Sequence, residues 1–241
     1  NTVGLITYMR TDAPTVARDA QNATLGFIRS EYGDDYCSDK PNIYKSRSGA
    51  QEAHEAIRPT DVTRSPKDLA GRLSATELKL YDLIWRRFVA SQMTAARMNQ
   101  RTVLIDSEPP PAQKHQYQFS ATSTEVTFPG FLRVMELDIR KSLAIANGKD
   151  AEEETDEVER LPELKEGEIV DLVKWLSDRK ETKPPSRYSD ASLIRALEAD
   201  GIGRPSTYAA ILETLSQRDY VTREKRMLSP TPLGFQVCDL L

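Results

Sequence analysis

Apolar residues recur along this chain with two different periods, and the period changes near residue 95. In the first 94 residues they return every three or four positions, as on one face of an amphipathic helix. One such stripe predicts a helix that begins near Asp12 and ends at Gly33, since glycine favours helix termination. A second stripe follows Ser74, whose S-x-x-E pattern fits a capping box, and continues to about Met93.

Beyond residue 95 the apolar positions alternate with polar ones, as in strands that are buried on one face. Residues 103–105 predict one strand, residues 117–121 a second and residues 169–175 a third. A Lys-Pro-Pro sequence at residues 183–185 marks a boundary, and the helical period returns after it.

The last segment predicts two helices and a short hairpin. Ser189 fits the N-cap of a helix that ends before Gly201, and Ser206 fits the N-cap of the next one. Two short apolar strands then flank residues 223–226. Helix, turn, helix and hairpin together resemble a winged helix, which is a DNA-binding arrangement.

These patterns predict an α+β chain, mainly α, with three domains. Residues 1–94 form a helical domain, residues 95–184 a β-rich segment and residues 185–241 the winged-helix-like segment. The composition is that of a soluble globular protein, with 39% hydrophobic and 29% charged residues. No stretch is long and apolar enough to cross a membrane, and two unclustered cysteines, Cys37 and Cys238, are typical of a reducing cytoplasm.

The net charge is −4, but it is unevenly distributed. Residues 150–168 hold ten acids and two bases, so this stretch carries −8 and the remaining chain carries +4. The simplest interpretation of residues 150–168 is a solvated acidic loop. A mildly basic body is compatible with DNA binding but does not require it.

The first candidate chemistry is at Tyr8 and Arg10. Residues two apart in an extended chain point to the same face, so a phenol and a guanidinium could address one phosphate there. A phenol is a weak nucleophile near neutral pH because its ordinary pKa is about 10, and a fixed guanidinium favours the phenolate. The alternative is a half-buried strand tyrosine beside a solvated arginine.

The second candidate is His54, one of two histidines in the chain, within a short predicted helix at residues 51–57. It could contact a phosphate or move a proton, or it could be a structural histidine beside two glutamates. Arg58 could bind a phosphate or pair with Glu55. The other histidine, His115, has no accompanying motif and is interpreted as structural.

Three long motifs resemble the type IA DNA topoisomerases, in the order in which that family carries them. They are GLITYMRTD at residues 4–12, GAQEAHEAIRPTD at 49–61 and GIGRPSTYAAI at 201–211. The resemblance implies that Tyr8 attacks a DNA phosphodiester, that Arg10 holds the scissile phosphate and that His54 assists. It also implies that residues 95–184 belong to an arch that joins two halves of a ring.

The resemblance further implies a set of DNA contacts and the substrates of the reaction. Single-stranded and negatively supercoiled DNA would be bound, and the strand cut through Tyr8 would be resealed after passage of the other strand. The start of the second C-terminal helix offers backbone N–H groups and hydroxyls, which suit a phosphate. The residues expected to contact DNA are Thr7, Arg58, Arg204, Ser206 and Thr207.

Members of the family also carry an acidic Toprim domain, which binds Mg²⁺ and lies upstream of the tyrosine. Its paired aspartates two residues apart do not occur here, so no metal ligand is expected in this chain. The chain is therefore expected to be a central fragment of a longer protein, truncated at both ends and inactive on its own. Its partner would be the N-terminal Toprim domain of the same protein.

Three functions stay open at this point. The first is an isomerase of the bacterial cytoplasm and nucleoid that relaxes DNA without ATP, and Met9 favours this branch of the family. The second is a topoisomerase III-type decatenase, a branch that tends to carry proline at that position. The third is a winged-helix DNA-binding protein without catalysis, in which Tyr8 is structural. Covalent trapping on an oligonucleotide separates the last from the other two.

Overall fold

A computed structural model describes residues 4–44, 54–107, 117–135, 161–177, 179, 181–182 and 184–240. It is a mixture of helices and two small antiparallel sheets, in agreement with the predicted α+β class. The chain divides into two compact units. One contains Asn1–Tyr8 and Ala13–Ile169, and the other contains Met9–Asp12 and Val170–Leu241. No helix among the described residues is long and apolar enough to cross a membrane.

The first helix, α1, covers Arg18–Tyr32 and ends at Gly33, as predicted. Gly33 has a φ of 97°, which glycine adopts without a steric penalty. The predicted start near Asp12 is wrong, because the helix begins six residues later. Ala17, its N-cap, makes no side-chain cap, and its backbone N–H instead donates to Glu55 Oε1 at 3.1 Å. A distant carboxylate thus replaces the local cap.

Helix α2 covers Ala75–Ser91 and begins with the predicted capping box. The Ser74 hydroxyl accepts from the Glu77 backbone, and the Glu77 carboxylate accepts from the Ser74 backbone at 2.9 Å. Such a cap contributes about 1 kcal/mol to helix stability. Its apolar face carries Tyr81, Trp85 and Phe88, all buried.

The core of the first unit forms where α1 packs on α2 and on the loop that precedes α2. The two buried aromatic side chains that carry a hydrogen-bond donor both find an acceptor there. Trp85 Nε1 donates to the Val62 carbonyl at 2.8 Å, and Tyr81 donates to the Arg64 carbonyl at 2.8 Å. These bonds remove the cost of burying an unpaired donor. Leu5 and Ile6, which lead to Tyr8, pack against the same core.

The predicted strands at residues 103–105 and 117–121 belong to a long hairpin. Strand β1 covers Arg97–Asp106 and strand β2 covers Gln118–Phe128, and they pair antiparallel. A four-residue helix, α3, follows at Leu132–Met135 and returns Val134 to the core. Gly130 makes this return possible, since a Cβ there would lie 2.6 Å from the Ala95 backbone.

The second unit contains the predicted helix, turn, helix and hairpin. Its elements are α4 (Asp190–Ala199), α5 (Tyr208–Gln217), β3 (Val221–Glu224), β4 (Met227–Pro230) and α6 (Pro232–Leu240). The side chain of Ser189 caps α4 as predicted. The predicted cap at Ser206 is wrong, because α5 begins at Tyr208 with Thr207 as its N-cap. A turn held by Arg204 and Thr207 occupies the intervening positions.

Two further predictions of local structure are wrong. Of the predicted helix at residues 51–57, residues 51–53 lie outside the described residues, and residues 54–57 are not helical, because backbone groups of His54 and Ala56 bind distant residues. Residues 169–175 are not a β-strand, since no other described strand pairs with them. His115 and the acidic residues 150–160 lie outside the described residues.

Candidate active site

Tyr8 and His54 lie together on the first unit although 46 positions separate them in sequence. Their ring centroids are 5.5 Å apart, and the planes meet at 62° in an edge-on arrangement. Tyr8 is 59% exposed. His54 is half-buried. The structure therefore brings the two strongest sequence candidates to one place and leaves the phenol accessible.

Backbone hydrogen bonds hold the two segments in register. The Thr60 N–H donates to the Leu5 carbonyl at 3.0 Å, and the Thr7 N–H donates to the Arg58 carbonyl at 2.9 Å. Ile6 and Pro59 form an isolated antiparallel bridge between these two bonds. Within the described residues, the β-pairing of this stretch is limited to this single bridge. Tyr8 lies two positions after Ile6.

The Thr7 hydroxyl locks this register. It donates to the Ala56 carbonyl at 2.7 Å and accepts from the Arg58 N–H at 3.0 Å. A hydroxyl has one proton to donate, so none is left for a phosphate in this arrangement. The contact between Thr7 and DNA therefore stays a prediction, whereas the positioning of Tyr8 rests on observed bonds.

Thr15 holds the His54 segment from its other side. Its hydroxyl donates to the His54 carbonyl at 3.0 Å, and its carbonyl accepts from the Ala56 N–H at 2.8 Å. Residues 54–56 therefore lie between Thr7 on one side and Thr15 on the other. This double attachment explains why the segment is not helical, because a helix would require the same backbone groups.

Arg58 is engaged with Glu55. Its Nη2 and Nε lie 2.7 and 3.1 Å from Glu55 Oε2, and Nη1 donates to the Pro59 carbonyl at 3.1 Å. The Arg58 side chain is only 12% exposed. Of the two alternatives that the sequence left open, the ion pair is the one present here. A contact between Arg58 and DNA stays a prediction.

Arg10 is exposed and belongs to Met9–Asp12, the short stretch that groups with the second unit. The chain bends at residues 9–10, so these residues are not part of an extended strand. The prediction that Tyr8 and Arg10 point to the same face of an extended strand is therefore not supported here. A role for Arg10 at the scissile phosphate depends on the family resemblance alone.

Arg204, Ser206 and Thr207 lie in the turn that precedes α5. The Thr207 hydroxyl accepts from the Arg204 N–H at 2.9 Å and donates to the Arg204 carbonyl at 3.1 Å. Arg204 Nη1 donates to the Gly203 carbonyl at 3.1 Å, and Arg204 and Ser206 are exposed. The turn presents a guanidinium and the Ser206 hydroxyl to solvent, while the Thr207 hydroxyl closes the turn.

The described residues do not fit a divalent metal site. No three His, Cys, Asp or Glu side chains among them are grouped so that they could hold an ion. No step of the chemistry considered below passes through a metal held by these residues.

A cavity of about 560 Å³ lies at the end of α2, and none of the candidate site residues lines it. Its rim carries Asp34, Asp35 and Asp39. Three carboxylates repel a phosphodiester, so this cavity is unsuited to DNA. Cys37 also lines it, and burial raises the pKa of its thiol, which makes it a poor nucleophile.

The positioning roles of three residues were not found from the sequence, which indicated Thr7 only as a DNA contact. Thr15 and Glu55 act across 38 or 39 positions, and Thr7 acts across 49 to 51. Spacing within one segment carries no signal for such contacts. The sequence indicated Glu55 only as a partner of Arg58, and that pair is present. Its second role, as the cap of α1, was not expected.

Replacing Thr7 by valine should remove two hydrogen bonds and leave the Ala56 carbonyl and the Arg58 N–H without this partner. We expect the free energy of unfolding to fall by about 1–3 kcal/mol, because buried polar groups lose their partners. Thr7→Ser keeps the hydroxyl and should lose less than half of that. Urea denaturation of the three proteins tests this, and equal stability of the valine and serine variants would contradict the positioning role.

Comparisons with known proteins agree on one family. The family model described as DNA topoisomerase matches residues 1–241. DNA topoisomerase 1 of Xylella fastidiosa is 44% identical over 242 residues, which cover 99% of this chain and 28% of that protein. The Mycobacterium leprae protein of the same name is 41% identical over 240 residues, which cover 99% of this chain and 24% of that protein.

A solved structure gives the same result for the fold. The full-length topoisomerase I of Thermotoga maritima matches 99% of this chain with a TM-score of 0.69 and 28% sequence identity. The match covers 35% of that structure. The chain spans about a quarter to a third of the length of the curated relatives that it matches.

Proposed function

This chain belongs to the bacterial type IA DNA topoisomerase family, and we propose that the full-length protein containing it relaxes negatively supercoiled DNA without ATP. The observation that supports this best is the exposed Tyr8 phenol, 5.5 Å from the His54 ring on a backbone-locked pair of segments. Residues 1–94 then form the helical domain of the catalytic tyrosine, residues 95–184 part of the arch and residues 185–241 a DNA-binding segment.

The proposed reaction is a transesterification. The Tyr8 oxygen forms a bond to phosphorus, and the bond between phosphorus and the 3′-oxygen of the neighbouring nucleotide breaks. The phenolic proton leaves, and the departing 3′-oxygen takes up a proton. The product is a 5′-phosphotyrosine beside a free 3′-hydroxyl, which later attacks the same phosphorus and reseals the strand. One phosphodiester replaces another, so no ATP is consumed.

The neighbouring residues have separate parts in this proposal. His54 contacts the scissile phosphate or handles the proton, since its ring lies beside the phenol. Arg10 holds a phosphate oxygen through its guanidinium. Thr7, Thr15 and Glu55 keep Tyr8 and the His54 segment in place through the bonds described above.

The DNA contacts proposed for the second unit centre on the turn before α5. Exposed Arg204 supplies a cation, and Ser206 supplies a hydroxyl. Thr207 holds the turn and starts the helix, whose first N–H groups favour an anion. Thr7 and Arg58 complete the proposed set on the first unit.

Mg²⁺ and the Toprim domain belong to the proposal for the full-length protein. The ion would be held by acidic residues of that domain, where it would supply positive charge near the phosphate. Location in the bacterial cytoplasm, at the nucleoid, follows from the proposed substrate.

Plasmid relaxation by the full-length protein tests the function. Negatively supercoiled plasmid should relax with Mg²⁺ and without ATP, while positively supercoiled plasmid should stay unrelaxed because it opens few single-stranded sites. Catenated plasmids serve as the control for a decatenase. Relaxation that requires ATP, or decatenation without relaxation, would contradict the proposal.

A non-catalytic winged-helix protein is the second candidate, and the arrangement of α4, α5 and the β3–β4 hairpin favours it. Such a protein binds DNA but forms no covalent bond to it. Heating in detergent with a labelled oligonucleotide distinguishes the two, because only a covalent complex survives denaturation.

A further inference from the structure

The hairpin of the second unit ends in a turn that carries two cations in an unfavourable backbone conformation. Glu224 pairs with Met227 across the hairpin, so the turn consists of Lys225 and Arg226 alone. Their φ angles are 46° and 70°, the two positive values of a type I′ turn. Asn-Gly is the preferred sequence for that turn, and long side chains there are strained.

The surrounding charges leave these two cations available. Arg223, at the preceding strand position, is engaged with Asp190 at 3.1 Å. Lys225 and Arg226 are exposed, and neither forms an ion pair within the part of the chain that the structure describes. Glu224 is exposed as well, so residues 224–226 carry a net charge of +1.

The hairpin is rigid enough to present them. Leu228 on β4 is buried, and its N–H donates to the Tyr188 carbonyl at 2.7 Å. Ser189 bridges to Met227, so a third short stretch supports the hairpin beside its tip. Gly234 lets α6 approach the backbone of Tyr220, just before β3, since a Cβ there would clash with the Tyr220 carbonyl oxygen. The turn therefore projects from a hairpin that neighbouring backbone supports.

We propose that this turn, which we name the wing tip (Lys225 and Arg226), is a contact site for the phosphodiester backbone of DNA. The inference rests on the proposed function, which supplies DNA as the ligand. A strained conformation at an exposed position is a reason to look for a function there. Lysine and arginine bind phosphate as a point charge and as a planar fork, respectively, and neither needs a particular base.

Variants of the 241-residue chain separate charge from turn strain. Lys225→Asn with Arg226→Gly removes both charges and supplies the preferred turn sequence. Lys225→Gln with Arg226→Gln removes the charges and keeps the strain. Lys67→Asn with Lys79→Asn is the matched control, because it removes two exposed cations from the first unit. Glu224→Gln removes the acid beside the wing tip.

Binding is measured by fluorescence anisotropy with a labelled single-stranded 20-nucleotide DNA across a range of KCl concentrations. Both wing-tip variants should lower the slope of log affinity against log salt by about 1.4, since each phosphate contact on a single strand contributes about 0.7. Affinity at 0.1 M salt should fall about tenfold or more. Glu224→Gln should raise affinity, and the control should leave the slope unchanged.

Thermal unfolding gives the second readout, because relief of the turn strain should raise the melting temperature while the loss of charge lowers DNA affinity. The Asn-Gly variant should melt about 2–4 °C above the unaltered chain, whereas the Gln-Gln variant should not. An unchanged salt slope in both wing-tip variants would overturn the proposed DNA contact at the wing tip and would leave the proposed function intact. If the unaltered chain does not bind this DNA, both the proposed DNA binding by this chain and the proposed role of the wing tip are contradicted.

Discussion

Replacing Tyr8 by phenylalanine in the full-length protein should abolish covalent cleavage of DNA and leave DNA binding almost unchanged. The variant lacks one atom, the phenolic oxygen that is proposed to bond to phosphorus. Removing a covalent nucleophile costs on the order of 10⁶ in rate in subtilisin, so relaxation should fall below detection. Stability should change by less than about 0.5 kcal/mol, because the side chain is 59% exposed.

Tyr117→Phe is the matched control for this variant. Tyr117 is 58% exposed and lies in the same compact unit, so the same atom is removed from an equally accessible tyrosine. The control should relax plasmid at the unaltered rate. Relaxation by the Tyr8 variant at a measurable rate would exclude Tyr8 as the nucleophile.

The 241-residue chain alone, without the rest of the protein, should fold but form no covalent complex with DNA. It holds Tyr8, Arg10 and His54, yet its described residues contain no cluster of three or more His, Cys, Asp or Glu side chains that could hold an ion. Loss of a single pre-positioned donor costs about a hundred- to thousandfold in rate, and here several proposed groups are missing together.

The measurement is a denaturing gel with a labelled single-stranded oligonucleotide and Mg²⁺. Circular dichroism establishes that the chain is folded, and anisotropy establishes that it binds the oligonucleotide. Adding the Toprim domain as a separate protein should restore a trace of adduct if the two parts associate. A strong, Tyr8-dependent adduct from the chain alone would show that its own residues suffice.

The elements predicted correctly from the sequence are those whose determinants are local. The capping box at Ser74 and the cap at Ser189 each involve residues three apart. The hairpin of β3 and β4 is likewise specified by adjacent strands, although its turn has two residues and not the four that were expected at 223–226. In each case the interacting groups lie within a few positions, so a pattern in the sequence contains them.

The predictions that failed depend on partners far along the chain. Residues 51–57 have a helical pattern, but Thr7 and Thr15 bind the backbone groups of His54 and Ala56. The start of α1 moves from Asp12 to Arg18, where Glu55 supplies the cap. Residues 169–175 have an alternating pattern, and a strand also needs a neighbour with which to pair.

The candidate site shows the same division. The motifs around Tyr8 and His54 indicate which residues to examine, and the structure places their rings 5.5 Å apart. Neither motif indicates that Thr7 fixes the register between them. The Thr7 hydroxyl acts together with the backbone bonds between the two segments, and these contacts explain how an exposed phenol can keep a defined position.

Mass spectrometry of the covalent complex is the most direct test of the proposed nucleophile. The full-length protein is denatured during cleavage of an oligonucleotide, digested with nuclease and trypsin, and its peptides are sequenced. We predict that the peptide ending at Arg10 carries a nucleotide joined through its 5′-phosphate to the Tyr8 oxygen. A nucleotide on any other residue, or one joined through its 3′-phosphate, would contradict the account.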